Sequence, residues 1–157
     1  MAEAARSQPA TAPLRAAILV LIAQPTRPFL ITNTRAGFPY SRPVICVNDG
    51  FDISMVTRRF SKKIGHLERS HHAGLLWIDP PRSVLLQGEV SIVDDSALVA
   101  DFYRRYAAKN PERTRFSPAD NADRVVLRLR PTFCRADWFA GYVPLVLYEP
   151  ELMGLHR

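Results

Sequence analysis

Cysteine is scarce in this chain. Only Cys46 and Cys134 occur among 157 residues, and no C-x-x-C is present. That excludes a disulfide framework and a cysteine-rich zinc module. Both cysteines sit in apolar, strand-like runs, the setting of buried free thiols in a reducing compartment. Glycine is also sparse, with seven residues and no glycine-rich phosphate loop, so a P-loop or dinucleotide fold is not expected. The run AAILVLIA, residues 16–23, is shorter than the roughly 20 apolar residues a membrane helix needs. Its flank MAEAARSQPATAP carries Glu3 and two prolines instead of the basic start of a secretory signal. These features predict a cytoplasmic protein with no membrane partner. His66, His71, His72 and His156 show no H-x-x-x-H or His–carboxylate spacing, so no metal site is expected. The G-x-S-x-G of a serine hydrolase is missing as well.

What is present is proline, basic charge and short β-forming runs. Thirteen prolines cut the chain into segments too short for a helical bundle. The net charge is +6, which permits a phosphorylated ligand, an anionic membrane or nucleic acid, and does not choose among them. The length fits one domain with a single core.

Residues 1–13 read as a disordered Ala/Pro/Ser/Gln tail. A helix is predicted over 14–24, stopped by Pro25. RPFLITNT and SRPVICVND read as two strands joined by a turn in RAGFPY, and FDISMVT as a third strand after the hairpin signal NDG. FSKKIGHLERS changes period: Phe60, Ile64 and Leu67 share one helical face. AGLLWID and VLLQGEVSIV are strands. The second alternates, with Val84, Leu86, Val90 and Ile92 on one face and Leu85, Gln87, Glu89, Ser91 and Val93 on the other. Coverage of that second face would make a dimer. Asp94 or Asp95 caps the helix SALVADFYRRYAAK, striped by Leu98, Phe102 and Tyr106. RVVLRLR is a strand interrupted by Pro131, and TFCRADWF is the last clear one. Trp77 and Trp138 both have the neighbours of core aromatics, although Trp138 could cap a planar ligand. The order predicts a mainly β domain, a small closed or nearly closed antiparallel barrel with flanking helices.

One cluster carries candidate chemistry. Arg42 opens a strand, Thr57 ends the next, and Ser61, Lys62 and Lys63 open a helix. A helix N-terminus presents free N–H groups and partial positive charge, so cations there are unfavourable without an anion nearby. The two readings of this stretch are a solvated basic surface and a phosphate site with Arg42 as a bidentate donor. Spacing alone leaves both open.

The pieces FLITNTRAGFPYSRPVICV, ISMVTRRFSKKIGHLERS, LLQGEVSIVDD and VVLRLRPTFCRADWF follow in an order that resembles the pyridoxamine 5'-phosphate oxidase-like proteins, over roughly residues 14–139. The RPV strand, the SKK helix start, the Gly88–Asp94 spacing and the late Trp138 are similar to the general stress protein branch. The resemblance implies a six-stranded split β-barrel over residues 14–149 with a C-terminal tail at 150–157. It implies a homodimer with FMN at the subunit interface and oxidoreductase chemistry on a small molecule. It assigns the FMN phosphate to Arg42, Ser61, Lys62 and Lys63, with Thr57 carried over beside them. Pro43, Val44 and Ile45 would run under the flavin ring. Gln87 lies on the strand that carries a glutamine in the oxidases, and is a further candidate. The oxidase's R-L-H-D-R ending has no counterpart in YEPELMGLHR, so vitamin B6 oxidation is not expected. Two other cofactors suit the same fold. A deazaflavin coenzyme would need a basic groove, which Arg58, Arg59 and Arg69 could supply. Haem would need a ligand among His66, His71 and His72. Nucleic acid is not expected, because the aromatics are not interleaved with the cations as stacking platforms.

Overall fold

A computed structural model describes residues 12–113, 122–141, 143–148 and 152. The chain order is α1 (Ala12–Ile22), β1 (Phe29–Asn33), β2 (Pro39–Pro43), β3 (Cys46–Asp49), β4 (Asp52–Arg58), α2 (Lys62–Arg69), β5 (His72–Asp79), β6 (Arg82–Val93), α3 (Ser96–Lys109), a 3-10 turn (Pro111–Arg113), β7 (Arg124–Ala140) and β8 (Val143–Tyr148).

All strand pairings are antiparallel. The strands lie in the order β2-β1-β5-β6-β7-β4-β3, with β8 added to β7. The split-barrel class expected from the sequence is the class observed. Among the described residues the count is eight strands instead of six, and the sheet stays open between β2 and β3. Two additions account for the difference once RVVLRLR and TFCRADWF, read as two strands, are joined in β7. SRPVICVND is two strands, because the chain leaves one sheet edge after Pro43 and joins the opposite edge at Cys46. Val44 and Ile45 make that crossing, and the Val44 N–H donates to the Pro28 carbonyl at 3.0 Å. The eighth strand comes from the segment after Gly141, which has weak periodicity.

Pro131 does not interrupt β7, which runs unbroken for 17 residues. Gln87 pairs with Phe133 and Gly88 with Pro131, so Thr132 is the extra residue of a β-bulge. A bulge is where a strand tolerates a residue without an N–H.

The main core lies inside the curved sheet. Ile18, Leu21 and Ile22 of α1 pack there with Leu30, Met55, Leu75, Trp77, Leu86 and Leu127. A second cluster lies on the outer face, where Val99, Phe102 and Tyr106 of α3 cover Val47, Val56 and Val126. Leu98 is only half-buried, and Val99 takes its expected place in the stripe. Two-sided coverage explains why Val125 and Val126 are both buried. Asp95 is the N-cap of α3, accepting from the Ala97 and Leu98 N–H groups at 2.8 and 3.3 Å. In α2, Ile64 and Leu67 are buried as expected. Phe60 is not on that face: it precedes the helix and is 87% exposed.

The expected tails fall largely outside the described residues. Within those residues, α1 begins at Ala12, and Leu152 is buried in the main core. The Leu152 carbonyl accepts from Arg15 at 3.1 Å. No helix among the described residues is long and apolar enough to cross a membrane.

Candidate functional site

The start of α2 draws together residues from three separate strands. Thr57 lies near the end of β4, points inward and is 4% exposed. The Lys63 ammonium donates to the Thr57 hydroxyl at 2.7 Å. Thr57 Oγ1 and Ser61 Oγ lie 3.1 Å apart. An ammonium has no acceptor capacity, so the Thr57 proton is free to go to Ser61 and the Ser61 proton is left over. Ser61 occupies the N-cap position of α2, yet its side chain caps no backbone N–H, and the first turn holds no acid. The helix start therefore keeps donors that its own chain does not use.

Arg42 approaches from β2. It pairs with Leu30 and so lies on the inner face with it. Its guanidinium donates to the Tyr40 hydroxyl and stacks over the Tyr40 ring at 4.5 Å. Its Nε is buried without a partner. Neither Arg42 nor Lys63 meets a carboxylate among the described residues. Burial, then the charges of Arg42 and Arg124, push the Lys63 ammonium below its ordinary pKa. Arg42 and Lys63, two neighbouring cations with spare donors and no carboxylate partner among the described residues, fit a phosphate monoester; Arg124 adds charge nearby while lying 3.8 Å from Asp123.

Tyr40 is held in turn by His66 of α2, with the rings edge to face at 5.4 Å. His66 Nδ1 and Thr32 Oγ1 share a hydrogen bond of 2.8 Å. Burial, then the charges of Arg69, Arg42 and Lys62, hold the His66 imidazole below its ordinary pKa.

The expected site residues divide. Arg42, Thr57, Ser61 and Lys63 come together. Lys62 is exposed at the helix start, outside this hydrogen-bonded group. Pro43 is exposed, Val44 buried and Ile45 half-buried along the crossing between the sheet edges. Gln87 is exposed on the outer face, opposite Gly74 and Phe133, and does not join Arg42 within one chain. The three arginines suggested for a longer basic groove do not gather. Arg59 is clamped by Asp94, Arg58 lies across from Arg124, and Arg69 closes the far end of α2.

Sequence reasoning missed Tyr40 and Arg124. Tyr40 was findable, since a residue two places before Arg42 on a strand shares its face. Arg124 reaches the site only through the β4–β7 register, which local pattern does not reveal.

Two other features lie on the outer surface. An open cleft of about 1120 Å³ is lined by Asp52, Ser54, Arg69, Arg105, Arg128 and Arg130, among others; it takes in the haem-ligand candidates His71 and His72 and none of the residues expected to bind FMN. Next to it on the sheet, Phe29, Leu76 and Leu85 stand side by side on adjacent strands. Phe133 and Tyr148 meet ring to ring at 5.9 Å nearby. Phe29, Ile78 and Tyr148 are exposed there. Among the described residues no cluster of ligating side chains could hold a metal ion.

The open antiparallel barrel with a polar cluster at one helix start defines a split-barrel protein. Its family follows from residues 14–136, which match the model of the pyridoxamine 5'-phosphate oxidase family, and the chain belongs to that family. Three solved structures share the fold. General stress protein 26 from Bacillus anthracis str. Sterne is 21% identical, with 86% of this chain and 98% of that one covered and a TM-score of 0.67. A pyridoxamine 5'-phosphate oxidase-related, FMN-binding protein from Nostoc punctiforme PCC 73102 is 18% identical, with 87% and 90% covered and a TM-score of 0.62. A protein described as an F420 reductase is 24% identical, with 73% and 93% covered and a TM-score of 0.64. No curated protein matches.

Proposed function

We propose that this protein is an FMN-binding flavoprotein, active as a homodimer in oxidation–reduction of a small molecule. The observation that carries the reading is the convergence of Arg42, Lys63, Thr57 and Ser61 at the start of α2 with no carboxylate among them. Arg42 and Lys63 would neutralise the FMN phosphate, and Ser61 and the first amides of α2 would donate to its oxygens. Lys62 would add charge from the rim. The backbone of Pro43, Val44 and Ile45 leads away from Arg42 and would support the ring. FMN, when bound, supplies hydride or electron transfer. The chain contributes position and electrostatics.

A dimer completes this arrangement. Phe29, Leu76, Leu85 and Phe133 form an apolar stretch on the outer sheet face, the kind of surface that a second copy covers. Gln87 lies in the same stretch and would reach a flavin only across that interface. A family relative described as FMN-binding shares the fold. The dispersal of Arg58, Arg59 and Arg69 disfavours a deazaflavin coenzyme with an anionic tail.

Titration of the purified protein with FMN, followed by flavin fluorescence, tests the reading. The double substitution Arg42→Ala with Lys63→Ala should weaken binding at least tenfold, about 1.4 kcal/mol. A protein that takes up no FMN, or a double variant that binds as the parent does, would sink it.

A further inference from the structure

Arg42 does not stand alone. Its guanidinium is gripped by Tyr40 in two ways, through a hydrogen bond to the phenol and through stacking on the ring. Tyr40 meets His66 edge to face, and His66 is fixed by Thr32 at 2.8 Å. Thr32 and Tyr40 are direct cross-strand partners in β1 and β2, so the chain of contacts closes on itself through the sheet. Each member is immobilised by a neighbour in regular structure. The result is a closed loop of contacts, Thr32–His66–Tyr40, with Arg42 held on it by Tyr40, tying β1, β2 and α2 together beside the phosphate donors.

The physical need for such a loop is plain. An arginine side chain has large rotamer entropy, which ligand binding must overcome. Arg42 is near Lys63, whose charge repels it. Left alone, the guanidinium would swing toward solvent when no anion is present. Tyr40 offers an electron-rich face and an acceptor oxygen, and both hold a cation in place without neutralising it. A carboxylate at the same position would also hold Arg42, but it would cancel the charge that the phosphate must meet. The buried, unpartnered Nε shows that Tyr40 leaves part of the donor set unused.

We infer that Tyr40 is a positioning residue that presets the Arg42 guanidinium for a phosphate monoester, and thereby makes the site select phosphorylated from unphosphorylated flavin. This inference rests on the FMN reading above and specifies how that site achieves selectivity. His66 and Thr32 act through Tyr40.

The test compares FMN with riboflavin, which lacks only the phosphate, by fluorescence titration of the full-length protein. Tyr40→Leu removes both ring and hydroxyl, and should weaken FMN binding about tenfold while leaving riboflavin binding unchanged. Tyr40→Phe keeps the stacking and should lose only a few-fold on FMN. In an Arg42→Ala background, Tyr40→Phe should cost nothing further, because its effect passes through Arg42. Equal losses on both flavins would mean a general structural role and would overturn the inference. So would an unchanged FMN affinity in Tyr40→Leu beside a large loss in Arg42→Ala. If Arg42→Ala itself leaves FMN binding intact, the flavin reading fails and not merely this extension of it. Should Tyr40→Leu fail to fold, the Tyr40→Phe cycle decides alone: additivity with Arg42→Ala overturns the inference.

Discussion

Gly88 of β6 lies directly against the backbone of Arg130 in β7. A Cβ placed on Gly88 would fall 2.6 Å from the Pro131 Cα and closer still to the Arg130 carbonyl. The approach occurs at the bulge, where Thr132 is the unpaired residue. Gly88→Ala should therefore destabilise the fold by about 3 kcal/mol or more, since backbone on one side of the contact cannot yield. Urea unfolding monitored by tryptophan fluorescence measures this. A loss below about 0.5 kcal/mol would contradict the packing, as surface substitutions cost no more than that.

Lys63 is half-buried among like charges, an arrangement unfavourable without a ligand. Lys63→Met should raise the stability of the ligand-free protein by about 1 kcal/mol while weakening FMN binding, a trade common at binding sites. The pH dependence carries a sign. The folded-state pKa of Lys63 lies below the ordinary lysine value of 10.5. Between those two pH values the unfolded chain holds more protons, so the lysine's penalty fades as pH rises. The stability gap between Lys63→Met and the parent should therefore shrink as pH climbs toward 10.5. A gap that widens over that range would refute the assignment.

Burial pushes the Cys46 thiol up to about 11 and the Cys134 thiol up to about 12. Thiolate is the reactive form. Neither cysteine should react with an aromatic disulfide reagent in the native protein at pH 8, and both should react in denaturant. Rapid labelling of either thiol under native conditions would show that its strand opens readily. Because both folded-state values lie above the ordinary thiol value of 9.0, the unfolded thiols ionise first, and these groups lower stability as pH rises past 9.0.

The outer apolar stretch offers a test of assembly. Leu85→Arg places a charge among Phe29, Leu76 and Phe133 without touching the interior, since Leu85 lies on the opposite face from Val84 and Leu86. Sedimentation should show the parent as a dimer and this variant as a monomer. A parent that sediments as a monomer at micromolar concentration would exclude the dimer reading.

Much of the fold was legible because its signals are local. The alternation in β6, the NDG hairpin between β3 and β4 and the Asp95 cap each depend on neighbours in sequence. The candidate site was half legible for the same reason: Ser61 and Lys63 announce a basic helix start. The failures share a different origin. SRPVICVND has one continuous β-like composition, and only the sheet edges on either side of Val44 and Ile45 divide it. Pro131 reads as a break until Gly88 opposite it permits a bulge. Phe60 fits the helical period by three residues and belongs to the turn before the helix. Tyr40 acquires its role from an arginine two positions on and a histidine in another element. For the strand crossing, the bulge and the Tyr40–His66 contact, what decides joins distant parts of the chain.

The crossing at Val44 and Ile45 has a final consequence. Arg42 lies on the first strand of the path β2-β1-β5-β6-β7-β4-β3, and Thr57 on the sixth. Going through the sheet, they are nearly a full circuit apart, yet both lie by Lys63 at the start of α2. An anion held between them would act as a clasp, joining β2 and β4, which share no ladder. Its binding would then slow amide exchange in the edge strand β2 more than in the central strands β5 and β6, so that the ligand's grip would be felt most where the sheet has least of its own.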